Sequence, residues 1–124
     1  MLNGEINEKN QLSVSIIVHG QQGQSATVPA LVDTGFTGDL QLPLTIAIPL
    51  GLRLDAVGTF EYADGRTARK MLFSATITWG TTTRPVTVSV VDSNTALLGT
   101  GLLHGYTLNA DFAKKQFSIQ EPIN

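Results

Sequence analysis

The chain contains no cysteine, which removes disulfides, thiolate nucleophiles and cysteine-ligated zinc together. It also has no uninterrupted run of about 18 apolar residues, the length a helix needs to cross a bilayer. Basic residues are few, 8 Lys and Arg against 10 Asp and Glu. They never gather beyond the pairs Arg69-Lys70 and Lys114-Lys115. With a net charge of −2 and no basic patch, nothing here attracts a nucleic-acid backbone or an anionic membrane. The opening residues, MLNGEINEKNQ, carry early acidic residues and no apolar core, so they do not read as a secretory signal. The expected protein is soluble and cytoplasmic, with no nucleic-acid or membrane partner.

What is present is a globular composition. Of 124 residues, 42% are apolar and 15% charged, enough to bury one core and too few charges for a disordered chain. Val, Ile and Thr recur in short runs among 12 Gly and 5 Pro, a pattern of strands and turns. Strands are expected at 12–18, 27–32, 40–43, 57–60, 70–79 and 85–91, and a closing hairpin at 107–112 and 116–119. Pro29 belongs at an edge or a bulge, because it cannot donate to a ladder. Short helices are expected at 44–50, limited by Pro49, and within 99–104. Between strands 57–60 and 70–79 lies a polar middle, Tyr62 to Thr67, whose Asp64-Gly65 is the strongest short hairpin signal in the chain. No linker, low-complexity tract or repeat period divides the sequence. The expectation is a single all-β domain spanning 1–124.

The chemistry concentrates at one place. The apolar run Val28–Val32 leads straight into Asp33-Thr34-Gly35. A carboxylate at the end of an apolar strand needs hydrogen-bond donors to hold it, and Thr34 and Gly35 are residues that supply a hydroxyl and close backbone approach. These three residues alone fit equally well a simple turn, with an Asx bond from the Gly35 amide to Asp33. A second element is Leu97-Leu98-Gly99, following the β-branched strand that ends at Val91.

The order of these parts (apolar strand, D-T-G, hairpin, then apolar-apolar-Gly and a short helix) resembles the retropepsin-like aspartic proteases of clan AA, in particular their bacterial single-domain branch. The resemblance covers roughly residues 12–120. It implies an acid-protease fold, a closed or partly open β-barrel with a flap hairpin and one or two short helices. It makes Asp33 the catalytic aspartate, Thr34 the residue that grips its counterpart across the site, and Gly35 the residue facing carboxyl and substrate. Leu97, Leu98 and Gly99 match the segment packed behind that loop and are counted, with Phe36 and the flap-tip residues Ala63, Asp64 and Gly65, as substrate-binding. Leu31, Phe36 and Val57 are expected to line apolar pockets. Neither a cofactor nor a metal is implied. Two departures stand out. Phe36 occupies a position where many members carry Ala or Ser, and the flap tip is polar where viral members are apolar and glycine-rich. These departures keep open an alternative: a peptide-binding or assembly module with this fold and little catalysis.

Aspartic-protease chemistry needs two carboxyls about 3 Å apart, which share a proton because both cannot ionise. The chain has one D-T-G. Asp92 precedes Ser93-Asn94 as a strand-ending turn, Asp64 belongs to the hairpin, Asp111 orders the closing turn, and Asp39 and Asp55 lie beside loops. The second carboxyl therefore has to come from a second copy of Asp33, across the axis of a homodimer acting on a peptide or protein substrate. Competing chemistries lack support. His19 and His104 are lone histidines, short of a zinc ligand set, and no G-x-S-x-G marks a serine hydrolase. The glutamates sit in polar stretches unsuited to a glycosidase pair, and Gly99-Thr100-Gly101 is no phosphate loop.

Overall fold

A computed structural model describes residues 2–61 and 63–122, apart from the side chain of Phe60; Tyr62 thus lies outside the described residues. In chain order the elements are β1 (Leu2–Ile6), β2 (Leu12–His19), β3 (Ser25–Val32), β4 (Leu40–Pro43), α1 (Leu44–Leu50) and β5 (Arg53–Glu61). They continue with β6 (Thr67–Trp79), β7 (Thr82–Val91), β8 (Ala96–Leu98), α2 (Thr100–Leu103), β9 (Thr107–Asp111) and β10 (Gln116–Gln120). The fold is all-β with two short helices.

Alternation builds the barrel. In β2, Val14, Ile16 and Val18 are buried while Ser15 and Ile17 face outward, the two-residue period of a strand with one face in the core. The strands β2, β3, β8, β4, β7 and β6 follow one another by hydrogen bonding, and a further β6–β2 pairing closes them into a ring of six. Closure works because β6 is long enough to serve two neighbours along the same edge. Its first part pairs with β5, and its last part, Thr76 to Thr78, pairs with His19 to Ile17 of β2. The β5–β6 hairpin therefore projects from the barrel as an extension of a barrel strand. Inside the ring, Ile16, Leu40, Leu42, Ile77, Val88, Leu98 and Leu102 are at most 1% exposed.

Pro29 pairs with Ser15 on one side, while β8 begins alongside Ala30, so the proline sits where the ladder on its other side has not yet started. α1 matches its expected bounds and ends at Gly51, whose φ of +59° places it in the left-handed region that favours glycine. The strand β1 was not expected from the sequence. It pairs with β10 and β2, and the reason it is hard to read is Gly4, which replaces an apolar residue on the inward face. A Cβ there would collide with the Ser13 carbonyl oxygen and lie 2.6 Å from the Phe117 ring and 2.8 Å from Val14 Cγ1, so backbone and side chains of its neighbours fill the space that a side chain at residue 4 would occupy. Asp55 also departs from expectation. It lies within β5 at an irregularity between Leu54 and Ala56, with Arg53 at 3.7 Å. Among the described residues no helix is long and apolar enough to cross a membrane.

Candidate active site

Asp33 is the first residue beyond β3, and its main chain continues the ladder that β3 makes with β8. The parallel register pairs Ala30, Leu31 and Val32 with Ala96, Leu97 and Leu98, and the Asp33 amide then donates to the Leu98 carbonyl at 2.9 Å. The chain turns at once. The Phe36 amide donates to the Asp33 carbonyl at 3.1 Å, and the Gly35 amide donates to Asp33 Oδ1 at 2.9 Å. The Asx bond considered from sequence is thus present, and it fixes the carboxyl instead of arguing against a chemical role. Asp33 is half-buried, whereas Thr34 and Gly35 are exposed.

The loop that follows is clamped to the start of α2 by glycines. Gly99 N–H donates to the Asp39 carbonyl at 2.9 Å, Thr100 N–H to the Phe36 carbonyl at 2.8 Å, and Gly101 N–H to the Gly38 carbonyl at 3.1 Å. Two backbones this close leave no room for side chains. A Cβ on Gly99 would collide with the Gly38 carbonyl oxygen and stand 2.6 Å from both the Phe36 ring and the Phe36 carbonyl oxygen. Phe36 therefore packs over Gly38 and Gly99 and holds the loop from outside. Leu98 is fully buried and Gly99 is buried with it, so these two, expected among the substrate-binding residues, support the loop from beneath. Leu97 is half-buried, held in the ladder between Leu31 and Gln41.

Asp39 was read from sequence only as a loop residue, and its part is larger. Beyond accepting from Gly99, its Oδ2 accepts the Thr87 amide at 3.0 Å, extending the parallel β4–β7 pairing, which starts at Leu40 and Val88, by one bond. The sequence around it offered only the neighbouring Gly35 and Gly38, because Gly99 and Gly101 approach Asp39 through the fold. Replacing Asp39 by Ala is expected to lower stability by about 1 kcal/mol, the net worth of one hydrogen bond, seen as a lower urea midpoint at unchanged slope.

Beside the loop is an open cleft of about 450 Å³. Gly35, Phe36 and Thr37 form one wall, and Lys70 and Leu72 of β6 another. Cross-strand partners share a face, so pairs Gly58–Lys70 and Ala56–Leu72 turn toward the cleft and Val57–Met71 turns away. Of the three residues expected to line apolar pockets, Phe36 does so. Val57 is 59% exposed on the other face of the hairpin, and Leu31 lies in the β3 ladder. At the hairpin tip, Ala63, Asp64 and Gly65 are exposed and do not line this cleft. Gly65 has φ of +86°, and Asp64 accepts from the Arg66 amide at 3.0 Å and from its guanidinium at 2.6 Å.

Four of the other aspartates have partners within their own chain. Asp39 is tied to Thr87, Asp64 to Arg66, Asp55 lies beside Arg53, and Asp111 accepts the Lys114 amide at 3.0 Å. Asp92 is exposed just past β7. His19 is hydrogen-bonded to Thr78 at 2.8 Å, and His104 is exposed at the end of α2. Among the described residues no group of three or more His, Asp or Glu is placed to hold a metal ion.

Comparison with solved structures identifies the fold. The chain is similar to the retropepsin-like aspartic protease of Rickettsia conorii, with a TM-score of 0.66 over 94% of this chain and 86% of that one, at 18% identity. The fold is retropepsin-like. A second similar structure is the EIAV protease complexed with the inhibitor HBY-793, with a TM-score of 0.59 over 79% of this chain and 89% of that one, at 15% identity. No family model matches the sequence, and no curated protein matches it. In this fold the β5–β6 hairpin projects from the barrel, and the parallel β3–β8 pair leads into Asp33.

Proposed function

We propose that this chain is an aspartic endopeptidase that works as a homodimer, with two copies of Asp33 facing one another on the two-fold axis. The observation that carries the reading is the setting of Asp33 on a retropepsin-like fold. Its main chain is bonded to Leu98, its carboxyl is oriented by the Gly35 amide, and a cleft opens beside it under the flap strand β6. Asp33 is half-buried and Thr34 exposed, so a second copy can reach both.

In the proposed reaction a water molecule lies between the two carboxyls. The ionised carboxyl takes one of its protons as the oxygen adds to the peptide carbonyl carbon. The protonated carboxyl gives its proton to the carbonyl oxygen. The resulting tetrahedral diol collapses as the amide nitrogen is protonated and the C–N bond breaks, returning one proton to the pair. An extended peptide is held by main-chain hydrogen bonds, in the manner of an added strand.

The test is cleavage of denatured protein or a peptide library between pH 4 and 7, with a statine-containing peptide as inhibitor and Asp33→Asn as control. Cleavage that is blocked by statine and absent in the variant supports the reading; equal cleavage by both proteins rejects it. A second prediction concerns assembly. Light scattering at micromolar concentration is expected to give a mass near twice the 13.2 kDa of one chain. A monomer that stays monomeric with the statine peptide bound would remove the second carboxyl and the mechanism with it.

A further inference from the structure

Ser89 is out of place chemically. On β7, Val86 and Val88 point into the core, so Thr87 and Ser89 share the opposite face, the face of the cleft. Ser89 is only 4% exposed, yet its hydroxyl has no hydrogen-bond partner among the described residues. Buried hydroxyls are normally partnered, and one that is not calls for a reason. The other unpartnered group of this kind among the described residues, Trp79 Nε1, belongs to a ring tilted 58° against Tyr106 with centroids 4.7 Å apart and does not line the cleft. Ser89 does.

Around Ser89 the cleft is rich in donors. Thr37, Thr87 and Lys70, all residues that carry donors, line it, while Phe36 and Leu72 supply apolar walls. One acidic residue, Asp39, also lines it, but both of its oxygens are turned to its own chain. Oδ2 accepts the Thr87 amide, and Oδ1 lies against Gly101, where an added Cβ would be 2.6 Å away. Apolar walls closing on hydroxyl and ammonium donors fit a side chain with a hydrocarbon stem and an acceptor oxygen at its end. A serine hydroxyl swings about a single bond, so Ser89 can turn to such an oxygen.

We propose that this cleft is a specificity pocket for a substrate side chain ending in a carboxamide or carboxylate, glutamine or glutamate, with Ser89 donating to its terminal oxygen. The proposal deepens the peptide-binding role given above to the Asp33 site and rests on it.

The experiment measures binding, so it does not depend on turnover. Fluorescent statine peptides carrying Met, Gln or Glu at each position next to statine are titrated into wild type and Ser89→Ala by anisotropy. At one position Gln or Glu is expected to bind about fivefold more tightly than the similarly sized Met, a ratio that one hydrogen bond provides. Ser89→Ala is expected to bring that ratio close to one, with a melting temperature equal to or above wild type, because it deletes an unpartnered group. If Glu exceeds Gln, Lys70→Met should remove the difference, which separates recognition of charge from recognition of the shared oxygen. Met binding as well as Gln and Glu at every position overturns the pocket, as does a preference that survives in Ser89→Ala. A clear loss of melting temperature in Ser89→Ala overturns the premise that the hydroxyl has no structural partner. Asp33-dependent cleavage alongside no polar preference leaves the protease standing and removes this inference alone. Failure of every statine peptide to bind removes both.

Discussion

Replacing Asp33 by Asn is expected to lower peptide hydrolysis by about a thousandfold or more while leaving the melting temperature nearly unchanged. The two halves of this expectation come from different atoms of one residue. Stability rests on the main chain, where the Asp33 amide bonds the Leu98 carbonyl and the Asp33 carbonyl receives the Phe36 amide. The side chain adds one bond, from the Gly35 amide to Oδ1, and the amide oxygen of Asn accepts it equally well. Activity rests on proton transfer. An amide cannot take a proton from water near neutral pH, and a positioned base is worth about 10²- to 10⁴-fold. In a symmetric pair the substitution removes both carboxyls at once, so the loss belongs at the upper end of that range. Initial rates on a peptide library and thermal melts by circular dichroism measure the two halves separately. A rate that survives moves the chemistry away from Asp33. Peptide binding with no cleavage by either protein selects the alternative, a binding module on the same fold.

Legibility in the sequence followed the distance over which each feature is decided. β2, β4 and α1 were readable because their signals are local: alternation in Leu12–Val18, the brief Leu-Gln-Leu-Pro, and an apolar turn opened by Pro43 and limited by Pro49. The hairpin was readable from Asp64-Gly65, whose geometry needs only the φ of +86° that glycine tolerates. β1 was hidden because the middle of its inward face, between Leu2 and Ile6, is Gly4, where Ser13, Val14 and Phe117 leave no room for a side chain. Asp39 was hidden for the same kind of reason, since its partner Thr87 is 48 residues away. The pairing of Asp33 with the Leu97-Leu98-Gly99 segment, about which strand propensity is silent, became visible only through the order of motifs seen in a known fold. Ser89 shows the remaining limit. In Pro85–Val91 it reads as one more strand residue, and only burial against the cleft reveals a hydroxyl without a partner.

Gly99→Ala is expected to lower stability by about 3 kcal/mol and to abolish activity along with it. The φ of Gly99, −103°, is one that any residue adopts, so the demand for glycine here is not conformational. It comes from contact. The added methyl group would meet two carbonyl oxygens, those of Gly38 and Phe36, as well as the Phe36 ring. A ring can tilt away; backbone carbonyls cannot move without pulling on the bonds they accept. The Phe36 and Gly38 carbonyls hold the amides of Thr100 and Gly101, and the Gly99 amide itself holds the Asp39 carbonyl. Relieving the clash therefore means giving up part of this clamp, which puts the cost at or above the upper end of the usual 1–3 kcal/mol for overpacking. For a domain of this size that is a fall of roughly 10 °C or more in melting temperature. The catalytic consequence follows from the same geometry. Asp33 is anchored to Leu98, the residue before Gly99, and the loop that orients its carboxyl is the one pushed outward. Gly65→Ala is the informative contrast, because nothing lies within 4 Å of a Cβ there and only its positive φ resists the change. A melting temperature for Gly99→Ala close to that of Gly65→Ala would mean that the loop yields freely, and that Asp33 is not held by the packing between Gly38, Phe36 and Gly99.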